Sequence, residues 1–173
     1  MKMESRIIIL KEDITKLDVN AIVNAANHTL LGGGGVDGAI HRAAGPKLLE
    51  ECHTLNGCET GKAKITSGYL LKARYVIHTV GPVWKGGNYD EAFLLASCYS
   101  ESLVLASQNA IKSLAFPAVS CGVYGYPIPE ATGIAFSTVQ KYLKNTLLPE
   151  KVIFAAFNDD VYENFLKWSR EQL

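Results

Sequence analysis

The chain has 173 residues, enough for one domain with one sizeable core. Hydrophobic residues make up 48% and charged residues 20%, an ordinary globular balance. Basic and acidic side chains number 17 each, so the formal net charge is zero, and no basic tract stands out. Charge therefore gives no handle for nonspecific association with nucleic acid or an anionic membrane.

The first apolar run, Ile7 to Leu10, is too short for a signal core or a membrane span, so a cytoplasmic location is expected. That run and Ala21 to Ala25 are β-rich and predict strands. Val36 to Ala44 predicts a helix that stops near Gly45-Pro46, and Lys47 to Leu55 a second. Ala63 to Thr66 and Tyr75 to Val80 read as strands, the latter ended by Gly81-Pro82. Asp90 to Asn109 has helical apolar spacing, Leu114 to Val119 reads as a strand despite Pro117, and Pro129 opens a helix to about Leu143. Val152 to Phe157 is a strand candidate, and Asp159 to Trp168 begins a last helix with two acids at its positive end. The alternation argues for an α/β layered fold around a largely parallel sheet, occupying residues 1–173 as one domain. No internal repeat or linker interrupts it. Cys52, Cys58, Cys98 and Cys121 are expected to be free thiols.

Two glycine-rich loops each follow a strand and precede a helix. The first, Gly32 to Gly35, removes side chains from one stretch of backbone, so that main-chain N–H groups can cup an anion at a helix N-terminus. It is neither a dinucleotide fingerprint nor a P-loop: the glycine spacing is wrong for the one, and no Gly-Lys-Ser/Thr follows for the other. Asp37 and His41 lie one turn apart on the helix that follows and share a face. Asp37 is either a first-turn acid stabilised by the helix dipole or a group that orients a water or hydroxyl, since a carboxylate beside bound phosphate is otherwise unfavourable, and His41 is either a hydrogen-bonded core histidine or its helper. Asn24 and Asn27, at the end of the second strand, offer donors and acceptors for ribose hydroxyls or a water, or for the turn itself. Asp13 is either a helix cap or an acceptor for an exocyclic amine such as that of adenine. Tyr124, in the second loop (Ser120 to Pro127), can lie against a sugar or fold onto the core. Cys121 has no histidine nearby in sequence, and Cys52, His53 and Cys58 lack zinc-pair spacing. His78, inside a strand, reads as a packed residue.

These segments resemble the macrodomain family in its MacroD-type branch: Asp13-Ile14-Thr15, Val23-Asn24-Ala25-Ala26-Asn27, Leu31 through His41, Asn56-Gly57-Cys58-Glu59-Thr60-Gly61, His78-Thr79-Val80-Gly81-Pro82 and Gly122-Val123-Tyr124-Gly125-Tyr126-Pro127. The resemblance covers nearly the whole chain. It implies a three-layer α/β/α sandwich around a mixed sheet of about six strands, and a cleft for ADP-ribose. Asp13, with the Ile14 backbone, would meet adenine. Gly33, Gly34, Gly35 and Val36, with Ser120, Cys121, Gly122, Val123 and Tyr124, would enclose the diphosphate and distal ribose. Asn24 would join them, and Asn27 and Asp37, helped by His41, would form the catalytic group.

The implied reaction is hydrolysis at the distal ribose of mono-ADP-ribose esterified to protein Asp or Glu, or of O-acetyl-ADP-ribose, by a monomer needing no metal or cofactor. A water held by Asp37, Asn27 and a substrate phosphate would attack either the anomeric carbon or the ester carbonyl. The alternative is a module that binds ADP-ribose without cleaving it, because fold alone does not separate the two. Glu12, His28 and Cys121 depart from the family pattern, and Asn158 is expected to flank adenine.

Overall fold

The computed structural model describes residues 6–171. Six strands form one sheet in the order β1-β6-β5-β2-β4-β3. They are β1 (Ile7–Lys11), β2 (Ala21–Ala26), β3 (Ala63–Ser67), β4 (Tyr75–Val80), β5 (Ser113–Phe116) and β6 (Lys151–Ala156). All neighbouring pairs are parallel except β3 with β4. The helices are α1 (Gly35–Ala44), α2 (Pro46–His53), α3 (Glu91–Gln108), α4 (Ile128–Lys144) and α5 (Asp159–Glu171). The mixed six-stranded α/β/α sandwich implied by the family resemblance is what forms, and its sheet is largely parallel, as the alternation of elements predicts.

Strand periodicity sorts the core into two layers. Ala21, Val23, Leu114, Phe116, Val152 and Phe154 pack on α3, α4 and α5, whose Leu95, Tyr99, Leu103, Phe136 and Phe165 are buried against them. The alternate residues Ile22, Val76, Ala115 and Ile153 face Ile40 and Leu48 of α1 and α2. Both faces are covered, so the strands read as continuous apolar runs.

Boundaries match the expected elements to within a few residues. The largest difference is β5, which stops at Phe116 rather than Val119. Pro117 has no N–H to donate to a ladder, and the freed chain turns into the second loop.

Arg6 carries no signal in the sequence, yet it ties the sandwich at one edge. Its guanidinium donates to the carbonyls of Leu143, Thr146, Pro149 and Glu150 at 2.6–3.3 Å, collecting the last carbonyls of α4 and the turn that follows. Arg6→Met is expected to lower stability by about 3 kcal/mol in urea denaturation, because charge-assisted bonds to carbonyls are lost together. A loss within error would show that solvent replaces them freely.

Candidate active site

In a sheet of this kind the carboxyl ends of the parallel strands open one edge to ligands. Five segments line that edge here: Glu12-Asp13 after β1, Phe157-Asn158 after β6, Pro117 to Gly125 after β5, Asn27 to Gly34 after β2, and Gly81 to Val83 after β4. β5 and β2 are neighbours, so the two glycine-rich loops stand side by side. From β1 to β2 the row is three strand spacings long, about 14 Å.

At the β2 end, α1 begins without a side-chain cap, so its first N–H groups are left for a ligand. Gly35, the first helical residue, has φ +56, which a side chain would strain. A Cβ built on Gly34 or Gly35 would meet nothing within 4 Å, so the cradle is open. Behind it Gly38 lies against the loop, where an added Cβ would come 2.6 Å from the Gly33 carbonyl oxygen.

Asp37 is 5% exposed. Its Oδ1 accepts from Asn24 Nδ2 at 2.8 Å and lies 3.4 Å from His41 Nε2. Its Oδ2 points the other way, 3.2 Å from a Cβ built on Gly33, with Asn27 Nδ2 3.5 Å from the same point. Asn27 and Asp37 thus converge on the Gly33 backbone. Burial raises the Asp37 pKa above its ordinary value, against the opposing pull of the Asn24 bond and of His41. Asn27 also shapes its own turn: Nδ2 donates to Gly32 O at 2.9 Å, and Oδ1 accepts from Thr29 N and Oγ1. Both roles that the sequence allowed for it are compatible with one position.

Asn24 sits elsewhere than expected. It is wholly buried beneath Asp37 and has no surface in the cleft wall, because its strand position faces the α1 layer. His78, its cross-strand partner on β4, is equally buried.

The second loop turns at Ser120 with φ +67. The Ser120 hydroxyl points inward and donates to Pro82 O at 2.7 Å, leaving backbone rather than hydroxyl to face the cleft. Cys121 is half-buried against the core, and burial pushes its thiol up to about 12, which keeps it protonated at neutral pH. Gly122 and Val123 are exposed, and Tyr124 is half-buried.

A residue with no distinguishing mark in the sequence anchors this loop. Glu91, at the start of α3, is 1% exposed, and its carboxylate accepts from the N–H groups of Lys85, Gly87 and Tyr89 at 2.6–2.9 Å. Burial alone would raise its pKa, but these donors outweigh it and hold it at about 2. The segment so pinned carries Trp84, whose N–H donates to Tyr124 O at 2.8 Å and whose ring packs on Tyr126 with centroids 4.6 Å apart.

At the β1 end Asp13 caps a 3-10 turn, Ile14–Lys16, through Oδ1, which accepts from Thr15 N and Oγ1. The Thr15 hydroxyl bond chiefly lowers the Asp13 pKa, so Asp13 is a carboxylate at neutral pH. Ile14 buries its side chain in the core. Asn158, expected to flank adenine, spends its Oδ1 on capping α5 at Val161 N. The exposed group at this end is Phe157, 64% accessible immediately after β6. The strand expected from the sequence includes it; its exposure follows from β6 ending one residue earlier, at Ala156.

Among the described residues no group of three His, Cys, Asp or Glu side chains is arranged to hold a metal ion, and no helix is long and apolar enough to cross a membrane.

The fold and site define an α/β/α sandwich with two glycine-rich loops side by side at the carboxyl ends of its strands, next to a buried Asp–Asn pair. Comparison with known proteins gives the family. The Macro domain model matches residues 23–135. A macro domain-containing protein of Methanosarcina mazei is 62% identical over 162 residues, covering 94% of this chain and 87% of the relative. An O-acetyl-ADP-ribose deacetylase of Salmonella newport is 49% identical over 174 residues, covering 98% and 97%. An ADP-ribose glycohydrolase, MACROD2, of Xenopus laevis is 56% identical over 156 residues, covering 88% of this chain and 37% of that protein. Among solved structures, the Oceanobacillus iheyensis macrodomain with ADP superposes with a TM-score of 0.90 at 42% identity, covering 95% of this chain and 90% of the other. The chain belongs to the Macro domain family.

Proposed function

We propose that this protein is a hydrolase that removes mono-ADP-ribose from esters at its distal ribose, taking ADP-ribosylated Asp or Glu side chains or O-acetyl-ADP-ribose as substrate. The single observation that carries the reading is the placement of Asp37. A carboxylate is buried in the wall of an anion cradle, held by Asn24 through one oxygen and aimed with Asn27 at the Gly33 backbone through the other. A module that only binds a diphosphate gains nothing from a buried negative charge there. The hydrolytic names of relatives that match this chain almost end to end, or over most of its length, support the same reading.

In this scheme the N–H groups of Gly33 to Val36 and the backbone of Ser120 to Tyr124 receive the diphosphate, and Tyr124 lies against the distal ribose. Asp37 Oδ2, Asn27 and a phosphate oxygen hold a water. Burial makes Asp37 a stronger base than an exposed carboxylate, which suits proton removal from that water. Asp13 stands at the far end of the row and cannot pair with Asp37 across one scissile bond, so a two-carboxylate glycosidase scheme does not apply.

The test is incubation with a substrate mono-ADP-ribosylated on Glu, and in parallel with O-acetyl-ADP-ribose, while free ADP-ribose is followed. Release supports the proposal. Tight ADP-ribose binding without release from either ester means a reader module instead. In water enriched in oxygen-18, label on the ribose means attack at the anomeric carbon, and label on the released acid means attack at the carbonyl.

At the other end, exposed Phe157 stacks in this scheme on the adenine, whose exocyclic amine donates to the Asp13 carboxylate. Phe157→Ala is expected to weaken ADP-ribose binding about tenfold or more by calorimetry, in line with the worth of one base–aromatic stack, with no change in kcat. An unchanged Kd would remove Phe157 from the cleft.

A further inference from the structure

Beneath Asp37 runs a chain of buried polar groups that crosses three strands. Thr66 Oγ1 on β3 lies 2.9 Å from His78 Nε2 on β4, and His78 Nδ1 lies 3.1 Å from Asn24 Nδ2 on β2. Asn24 Nδ2 then donates to Asp37 Oδ1 on α1 at 2.8 Å. Asn24 and His78 have no exposed surface, and Thr66 is 2% exposed, so water does not share these bonds.

The direction of each bond follows from its donors and acceptors. Thr66 Oγ1 donates its one hydrogen to Ser67 O at 3.1 Å, so it accepts from His78 Nε2–H. His78 Nδ1 is then bare and accepts from Asn24. One hydrogen of Asn24 Nδ2 goes to His78 and the other to Asp37. The opposite tautomer would carry its hydrogen on Nδ1, turn the Asn24 amide over, and set the amide oxygen against the Asp37 carboxylate. The Asn24 Oδ1 left behind finds no partner among the described residues. That is a costly state for a buried amide, and it persists because both Asn24 hydrogens are claimed.

We propose that His78 and Thr66 are positioning residues: by fixing the imidazole tautomer they lock the amide of Asn24 with its NH2 toward Asp37, and so hold Asp37 as a carboxylate with Oδ2 aimed at Gly33 and Asn27. The role of Asp37 rests on the hydrolase reading above; the lock itself rests on geometry alone. Burial, with a smaller contribution from His41, depresses the His78 pKa to about 3, so His78 stays neutral and keeps one bare nitrogen across the working range. The titratable groups around Asp37 are His41 on its own helix, His78 on β4 and Cys52 on α2. The Cys52 Sγ lies 3.8 Å from His78 Nε2, and burial, with Asp37 next, holds this thiol neutral at about 11.

Three variants test the lock. His78→Leu removes the acceptor for Asn24 at similar volume. His78→Asn restores an acceptor oxygen at the Nδ1 position. Thr66→Val releases the tautomer. For each, ADP-ribose binding, the pH profile of kcat and the carbon-13 titration of the Asp37 carboxyl are measured. His78→Leu is expected to lower kcat about 10- to 100-fold, the range typical when the partner that orients a functional ligand is lost, with ADP-ribose Kd within about twofold. It should also move the acid limb of the profile and the Asp37 midpoint upward, because the bond that favours the charged form slackens. Thr66→Val should move both the same way by less, and His78→Asn should return much of the loss. The proposal is overturned by an Asp37 midpoint that stays put in His78→Leu, by equal losses in His78→Asn and His78→Leu, or by Kd rising in step with kcat falling. A parent protein that hydrolyses neither ester while its Asp37 midpoint still responds to His78→Leu would sink the hydrolase reading and leave the lock standing.

Discussion

Asp37→Asn is expected to lower kcat for the proposed ester hydrolysis by about 10²–10⁴-fold, the usual worth of a positioned general base, with ADP-ribose affinity retained. The replacement keeps an oxygen that can accept from Asn24 and fills the same volume, so the cradle is preserved. It removes only the charge and the basic oxygen beside Gly33. The same change is expected to raise Tm at pH 7. Burial raises the Asp37 pKa in the folded state above its value of 3.8 in the open chain. The folded protein therefore binds more protons than the unfolded chain between pH 3.8 and the raised value, and stability falls as pH rises through that window. The variant has no such titration, so its advantage over the parent is present at pH 7 and vanishes below about pH 3.8. Melts of both proteins at pH 7 and pH 3.5 and a turnover assay check this pair of outcomes. A variant less stable than the parent at pH 7 would mean that Asn24 and His41 more than offset the burial of the charge.

Gly38→Ala is the second large effect. In an ordinary helix interior this exchange stabilises by roughly 0.5–1 kcal/mol. Here the new methyl would stand 2.6 Å from Gly33 O and 3.0 Å from Arg42 Nη1. The arginine can swing away, but the carbonyl is backbone and carries the loop with it. The variant is expected to lose stability against its helix propensity and to lose about 10²-fold in kcat/KM, the scale of a misplacement near 1 Å. Gly34→Ala is the control. Its backbone has φ −93 and a Cβ there meets nothing within 4 Å, so its Tm should stay at the parent value. Equal melting temperatures for all three proteins would show that the loop yields without strain.

The amino-acid sequence by itself determined the layers and the place of the cleft. That Ala21 shares a face with Val23, and Ile22 with Asn24, follows from the strand reading alone because β periodicity is local; which layer each face meets does not. Gly32 to Gly35 before a helix marks an anion cradle because backbone N–H groups without side chains behave alike in any fold. The proximity of Asp37 to His41 needed only helical spacing, whereas the sequence reading carried β5 past Pro117 to Val119 and the structure ends it at Phe116.

Tertiary structure decided which atoms each polar group spends and on what. Asn24 and Asn27 are three residues apart and chemically identical. Strand pairing sends one under Asp37 against His78 and leaves the other at the cleft, a consequence of which β4 residue lies beside β2. Ser120 looks like a phosphate ligand until the β4 end brings Pro82 O to its hydroxyl. Glu91 reads as an ordinary first-turn acid until three N–H groups from the preceding loop converge on it. Arg6 finds carbonyls more than 130 residues away. Periodicity and turn chemistry are properties of neighbours along the chain. Hydrogen-bond partners and burial are properties of neighbours in space, and they follow from strand order, which no local pattern encodes.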